Sequence, residues 1–538
     1  MVDPGAAEVR NALDELVNQF ADPMSFLREL IQNAVDAGSE EVEVSVERQP
    51  GEGAGGVTVI HIDDWGEGMT REIIAKRLTR LFSSAKDGDM TKIGKFGIGF
   101  VSVFAIQPEA VCVDTAREGE SWRVLFDEQR RFKLIRRDQP VDGTKIRIYK
   151  KTTEEEHEHI VGRARGVLEY WCKHIGADIR FDGKLIGQPF ALPGSVASVE
   201  QDDGFSHIVV GHCAQAESFA GFYNSGLTLI ESKDPQRPGI AYKVNSPHLE
   251  HTLTRDAVIH DAGHARVMAQ VETLLAGPLC ELVLQRLLLA LRGGDDSDLA
   301  ELLRAVTRHL KMDHLGSRGD AVIALSPAGT PLTVDGFRRG HDDDEILLAR
   351  ERSQLTDALE ERGSTVVLEP ADALAATALR QLLAALAPGT ECHSLSARYC
   401  QPVVLDATSP AQAALAQSVD AVFEAEGLKV GAVAFAIFDY PGSGIADRVA
   451  IALPKLGEIA SIADAVALKR GLFSRSRAVA VNAAHPSVTT LVVLAAHEPE
   501  LAGYLLVKQF LLGHHLDAAL DSRIAATGME ARWRRSMR

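Results

Sequence analysis

The sequence predicts an α+β multidomain protein, and three observations carry that prediction. Its 538 residues exceed one ordinary domain, and a prior of roughly 150 residues per domain gives about three or four. The first part mixes helical with strictly alternating apolar periodicity, and the last part is dominated by helices rich in alanine and leucine. Hydrophobic residues make up 46% and charged residues 25%, the balance of a folded chain with sizeable cores.

Taken in order, residues 7–20 carry apolar side chains at helical spacing, and a second helix runs from Asp22 to Ala37. Asp22 can accept the first free amides, Pro23 suits the first helical position, and Gly38 can adopt the left-handed turn that stops the helix. Val42 to Glu47 and Val57 to Asp63 alternate as strands around the glycine-rich hairpin Gly51 to Gly56. Residues 70–82 read as a helix, 83–93 as a loop, and the glycines of 94–99 lead into another helix. Strands follow over 110–149, and the acidic run Glu154 to Glu158 marks a boundary as an exposed linker or helix start.

Mixed elements fill 160–255, and 264–311 is helical, with leucine-rich stretches around Leu274 and Leu287 broken by Gly293-Gly294. Strand-like Ala321 to Leu325 and Thr365 to Leu368 flank helical stretches at 345–361 and 371–387, which predicts a small α/β layer. The expected divisions are therefore 1–152, 153–312, 313–394 and 395–538, the last an α/β and helical region.

A formal net charge of −18 opposes binding to a phosphate backbone, so nucleic acid is excluded as the expected partner. The basic cluster Arg532, Arg534, Arg535 and Arg538 reads as a solvated tail ahead of a docking patch. Six cysteines without a CxxC pair suggest neither a disulfide framework nor a thiolate zinc site, and fit a reducing cytoplasm. The segment MVDPGAAEVRNALDELV lacks a basic stretch followed by an apolar one, and no uninterrupted run of membrane length occurs. Neither secretion nor membrane insertion is expected. His260 and His264 have the spacing of a zinc helix but lack its glutamate and a third ligand, so ordinary side chains are expected.

The chemistry concentrates in three motifs. In the helix around Glu29, the polar residues Glu29, Asn33 and Asp36 fall on one face, which alone is an ordinary amphipathic pattern. The strand ending at Asp63 runs into Asp64-Trp65-Gly66-Glu67-Gly68-Met69, a D-x-G-x-G turn. A carboxylate there can accept from an exocyclic amine such as that of adenine, and glycines let the backbone approach a flat base. Guanine presents a carbonyl at that place and would be rejected. Gly94-Lys95-Phe96-Gly97-Ile98-Gly99-Phe100 then opens a helix, so backbone amides can converge on phosphate oxygens; its order is neither that of a P-loop nor that of a dinucleotide fingerprint.

In this order the three motifs resemble the ATP site of the GHKL superfamily, named for gyrase, heat-shock protein 90, histidine kinase and MutL. ELIQNAVDA, DDWGEGM and IGKFGIGF resemble the heat-shock protein 90 family specifically, and Asp142-Gly143-Thr144-Lys145-Ile146 resembles its fourth motif. The resemblance implies an N-terminal GHKL (Bergerat) α/β sandwich ATPase domain, an α/β middle domain and a mostly helical C-terminal dimerisation region. It implies ATP and Mg²⁺ as cofactors. Glu29 would be the general base, Asn33 the Mg²⁺ ligand and Asp64 the adenine reader. Gly66, Gly68, Met69 and Thr144 would complete the base pocket. Gly94, Lys95, Phe96, Gly97, Ile98, Gly99 and Phe100 would surround the phosphates. Asp36 would either touch the site or support a group that does. Residues 70–93 occupy the place of the family's lid, where Ser83, Ser84 and Lys86 either touch phosphate or line the loop.

Downstream, VNSPHLEHTLTRDA at 244–257 is similar to the family's middle-domain loop, which makes Arg255 the candidate γ-phosphate sensor. The glutamine expected four residues later is Ile259 here, which weakens that assistance. AVAVNAAHPSV at 478–488 is similar to the start of the family's dimerisation domain, with Asn482, His485 and Pro486 in place. The implied function is an ATP-dependent molecular chaperone, a cytoplasmic homodimeric clamp acting on unfolded or partly folded clients. The alternative is a GHKL ATPase used as a regulatory or defence-system switch with one dedicated partner.

Overall fold

The structure is a computed structural model. It describes residues 22–51, 55–79, 98–214, 217–250, 258–293, 298–339, 345–465, 476–512 and 516–537. Residues 80–93 of the expected lid, most of the glycine loop, Lys86 and Arg255 lie outside the described residues; the lid's start is helical over Arg71–Ile73 and Ile74–Leu78. The chain divides into two compact units at Leu279/Cys280.

The first unit begins with a one-turn 3-10 helix, Pro23–Ser25, capped by Asp22, whose Oδ1 accepts the Met24 amide at 3.0 Å. It continues as α1 (Phe26–Asp36), stopped by Gly38 at φ +77°, as the glycine's placement predicts. An eight-stranded sheet follows, built from β1 (Glu41–Pro50), β2 (Gly56–Asp64), β3 (Ala110–Arg117), β4 (Glu120–Asp127), β5 (Phe132–Arg136), β6 (Thr144–Thr152), β7 (Asp178–Phe181) and β8 (Lys184–Leu185). Its order is β5-β4-β3-β6-β2-β1-β7-β8, all neighbours antiparallel except β1 with β7.

One face is buried because alternate residues point inward: Val42, Val44 and Val46 from β1, and Ile146 and Ile148 from β6. They join Leu27, Leu30 and Ile31 of α1 and Ile160, Val167 and Leu168 of α3 (Glu154–Trp171) in one core; the one-turn helix α2 (Ile98–Val101) adds Phe100 and Val101. The acidic run is the exposed first turn of α3, held by a capping box between Thr153 and Glu156. The sheet does not end at residue 152, since β7 adds to β1 by parallel pairing across α3.

A second, five-stranded sheet comprises β9 (Ser195–Asp202), β10 (His207–Cys213), β11 (Phe219–Asn224), β12 (Leu227–Ser232) and β13 (Ile240–Asn245), ordered β12-β11-β13-β10-β9. The segment Ala262–Leu291 is, among the described residues, the one helix long and apolar enough to cross a membrane by length and composition. It also carries Arg266, Glu272, Glu281 and Arg286, and buries Val267, Val271, Val283 and Leu287.

The second unit contains the small α/β layer, with one correction. Glu345–Ala349, expected within a helix over 345–361, is a buried strand flanked in parallel by Val366–Leu368 and Glu391–Ser394; only Gln354–Glu360 is helical. The unbroken apolar run Ile346 to Ala349 is buried on both faces of the strand, and that removes the alternation by which strands are recognised. Further on, a four-stranded sheet packs against Pro410–Ala425, Pro486–Ala495, Pro499–Leu512 and Ala518–Ser536. Asn482 is buried and donates to Ala446 O and Arg448 O, while His485 caps the helix that Pro486 starts. Two arginines of the basic C-terminal cluster, Arg532 and Arg535, are held by ion pairs to another helix. Arg532 and Arg535 pair with Glu498, and Arg535 also with Glu500, so the last helix is tied to the acidic start of Pro499–Leu512.

Candidate nucleotide-binding site

The site's polar groups meet where strand register brings them together. Asp64 pairs with Thr144 on β6, and Thr144 pairs with Thr115 on β3, so three side chains stand in one transverse row at the strand ends. Asp64 is buried, and its Oδ1 accepts the amides of Gly66 at 3.0 Å and Thr144 at 3.1 Å. Both bonds fall on Oδ1 and neither on Oδ2. Burial raises the Asp64 pKa above the ordinary carboxylate value, partly offset by those two amides and by Lys145.

Thr115, not singled out by the sequence motifs, organises the rest of the row. Its hydroxyl accepts the Met69 amide at 2.9 Å and donates to Gly143 O at 3.3 Å. A hydroxyl has one proton, so the 3.2 Å contact with Thr144 makes the Thr144 hydroxyl the donor. Two glycines are required by space. A Cβ on Gly68 (φ +67°) would lie 2.2 Å from Ala116 O, and one on Gly143 (φ +68°) 2.2 Å from Asp64 O. Ser39 was also missed: its hydroxyl accepts the Trp65 amide at 2.9 Å and donates to Glu41 O, which anchors the turn to the end of α1. Gly66 lies against the same helix end, and Lys145 sits over the Trp65 ring at 3.8 Å.

On α1, Glu29 is buried while Asn33 and Asp36, one and two turns later, are exposed. The Arg28 guanidinium, 4.6 Å above the Trp171 ring, donates to Glu29 Oε1 through Nε at 3.2 Å and Nη2 at 3.1 Å. The other oxygen faces the glycine loop: a Cβ on Gly99 would lie 2.9 Å from Oε2. The end of the loop and the glutamate are thus in contact, and Gly99 is the residue type that permits it. Phe100 turns its ring into the core, 5.5 Å from Phe126, so any part it has at a phosphate falls to its backbone amide. Ile98 is described only as backbone, and Gly94, Lys95, Phe96 and Gly97 lie outside the described residues.

The arrangement sets the buried Asp64 carboxylate beside a turn whose Gly66 and Gly68 pack against Ala37 and Ala116, and places a second carboxylate, Glu29, against Gly99. For a divalent cation, the exposed Asn33 amide one turn from Glu29 supplies a single oxygen donor. That suits Mg²⁺, which keeps most of its shell as water and phosphate oxygen.

Residues 22–158 match the family model described as histidine kinase-, DNA gyrase B- and HSP90-like ATPase, so the first unit contains a GHKL ATPase domain. Two relatives are each named chaperone protein HtpG. The one from Rhodospirillum rubrum is 31% identical over 223 residues, covering 35% of this chain and 34% of the relative. The one from Anaplasma phagocytophilum is 33% identical over 211 residues, covering 32% and 31%. The matched part spans about a third of the length of these curated relatives.

Proposed function

We propose that this chain is a Mg²⁺-dependent ATPase of the heat-shock protein 90 type, a homodimeric cytoplasmic clamp that assists or remodels unfolded or partly folded client proteins. The single observation that supports the ATPase reading is the close approach of Glu29 to Gly99 in a domain whose register sets the buried Asp64 in one row with Thr144 and Thr115. In this reading Asp64 accepts the adenine amino proton, and Gly66, Gly68, Met69 and Thr144 form the base pocket. The Gly94–Gly99 loop and the Phe100 amide surround the phosphates, with Lys86 from the lid. Asn33 would hold Mg²⁺, which when bound offsets phosphate charge. Glu29 takes the proton of the attacking water, and Arg255 stabilises charge that develops on the γ-phosphate.

Support for the homodimer comes from the last helix. Met529, Trp533 and Met537 are spaced by one turn and exposed, Trp533 by 62%, which leaves an apolar stripe at the C-terminal end. Replacing Met529 and Trp533 together with glutamate is expected to convert a dimer into a monomer in sedimentation velocity while the far-ultraviolet circular dichroism stays that of the parent, because neither side chain is in a core. An unchanged sedimentation coefficient would remove this stripe from the interface.

The chaperone reading is tested by aggregation of several chemically unrelated unfolding proteins. The full chain with ATP is expected to suppress all of them. The switch reading draws on the limited length of the match, and is favoured if none is suppressed while one dedicated partner changes ATP turnover.

A further inference from the structure

The second sheet of the first unit has a cleft of about 510 Å³ that the nucleotide chemistry does not use, with Lys173, Ser195, Glu231 and Lys243 among its polar lining and Leu192 and Phe219 among its apolar lining. Its size is that of a small-molecule site. The charges in it do not balance. Glu231 is engaged by Lys173, whose Nζ lies 2.7 Å from Oε1, and by the Tyr223 hydroxyl. Among the described residues no carboxylate forms an ion pair with Lys243, although it is only 8% exposed. Its Nζ meets the Nε2 of His174 at 3.0 Å, and His174 Nδ1 lies 3.0 Å from Gln188 O. With Nδ1 donating to that carbonyl, Nε2 is the lone-pair acceptor for the ammonium. Burial lowers the His174 pKa to about 4, so the imidazole is neutral at pH 7 and offsets none of the charge. Burial, and then Lys173, lower the Lys243 pKa, and Glu231 offsets this only in part. Glu217 at the rim is paired with Lys233.

Two ammonium groups and one carboxylate leave a surplus of one positive charge facing a partly apolar cavity. We infer that the cleft binds a small organic monocarboxylate, its carboxylate held by Lys243 and Lys173 and its apolar body lying against Leu192 and Phe219. One negative charge completes the cluster. A doubly charged phosphate would overcompensate it and would leave the apolar wall uncovered.

The test uses the full chain at pH 7, titrated calorimetrically with hexanoate and with inorganic phosphate. Hexanoate is expected to bind saturably and more tightly than phosphate, and Lys243→Met to weaken it at least about tenfold, the loss of one charge-assisted contact. In the unmodified protein, hexanoate is also expected to slow acylation of Lys243 by an amine reagent, read by peptide mass. This second readout holds even if the variant fails to fold. The inference is overturned by phosphate binding more tightly than hexanoate, by unchanged hexanoate affinity in a folded Lys243→Met, or by Lys243 acylation that hexanoate leaves unaltered.

Discussion

Glu29→Gln is expected to lower steady-state ATP hydrolysis by about a hundredfold to ten-thousandfold, the span of a general base's contribution, while nucleotide still binds. Glutamine is the informative replacement because of what surrounds this side chain. Its carbonyl can accept both Arg28 donors that now meet Oε1, so the buried guanidinium keeps its partner and the helix keeps its packing. Only the second oxygen changes. That is Oε2, the atom that faces Gly99, and an amide there cannot take a proton from water. Alanine would combine this loss with an Arg28 left short of a partner in the core, which by itself costs several kcal/mol. Phosphate release from the full chain measures turnover, and calorimetric titration with a nonhydrolysable ATP analogue measures binding. Turnover in Glu29→Gln within threefold of the parent would move the general base to another residue. A joint loss of binding and turnover would make Glu29 a binding group.

The features legible in the sequence were those fixed by local pattern. The helix from Phe26 to Asp36, its stop at Gly38, the β1–β2 hairpin and the D-x-G-x-G turn all follow from caps, glycines and alternation within a few residues. What escaped was set by partners far along the chain. Thr115 is one residue of an ordinary alternating strand, and it becomes central only because β3 pairs with β6 and places it beside Thr144. Ser39 reads as a polar residue after a helix until the Trp65 amide is found on its hydroxyl. Arg28 sits on the apolar side of α1, where its charge would argue against burial; Glu29 beside it and Trp171 from α3 make burial tolerable. The strand Glu345–Ala349 failed for the opposite reason, since burial on both faces erased the periodicity that identifies it.

Asp64→Asn separates the reading of the base from the stability of the fold, because the two oxygens of Asp64 serve different purposes. The asparagine oxygen can replace Oδ1 and keep both the Gly66 and Thr144 amides satisfied. Its NH₂ then lies where Oδ2 was and meets the adenine amino group donor to donor. Loss of a bond to a charged acceptor, about 1.5–3 kcal/mol, together with this mismatch predicts a rise in the ADP dissociation constant of about a hundredfold. Stability should move the other way. Burial raises the Asp64 pKa, so the folded chain binds this proton more tightly than the unfolded chain does. As pH rises from the ordinary carboxylate value through the raised one, the parent therefore loses stability that asparagine does not lose. At neutral pH the variant should melt no lower than the parent, and this relative advantage should shrink as the pH falls through that window. Nucleotide affinity of the parent should weaken over the same window as Oδ2 is protonated, while the variant's affinity stays flat. An ADP affinity within threefold of the parent in Asp64→Asn would mean that the base is read elsewhere, and the row from Thr115 to Asp64 would then be a purely structural feature of the sheet.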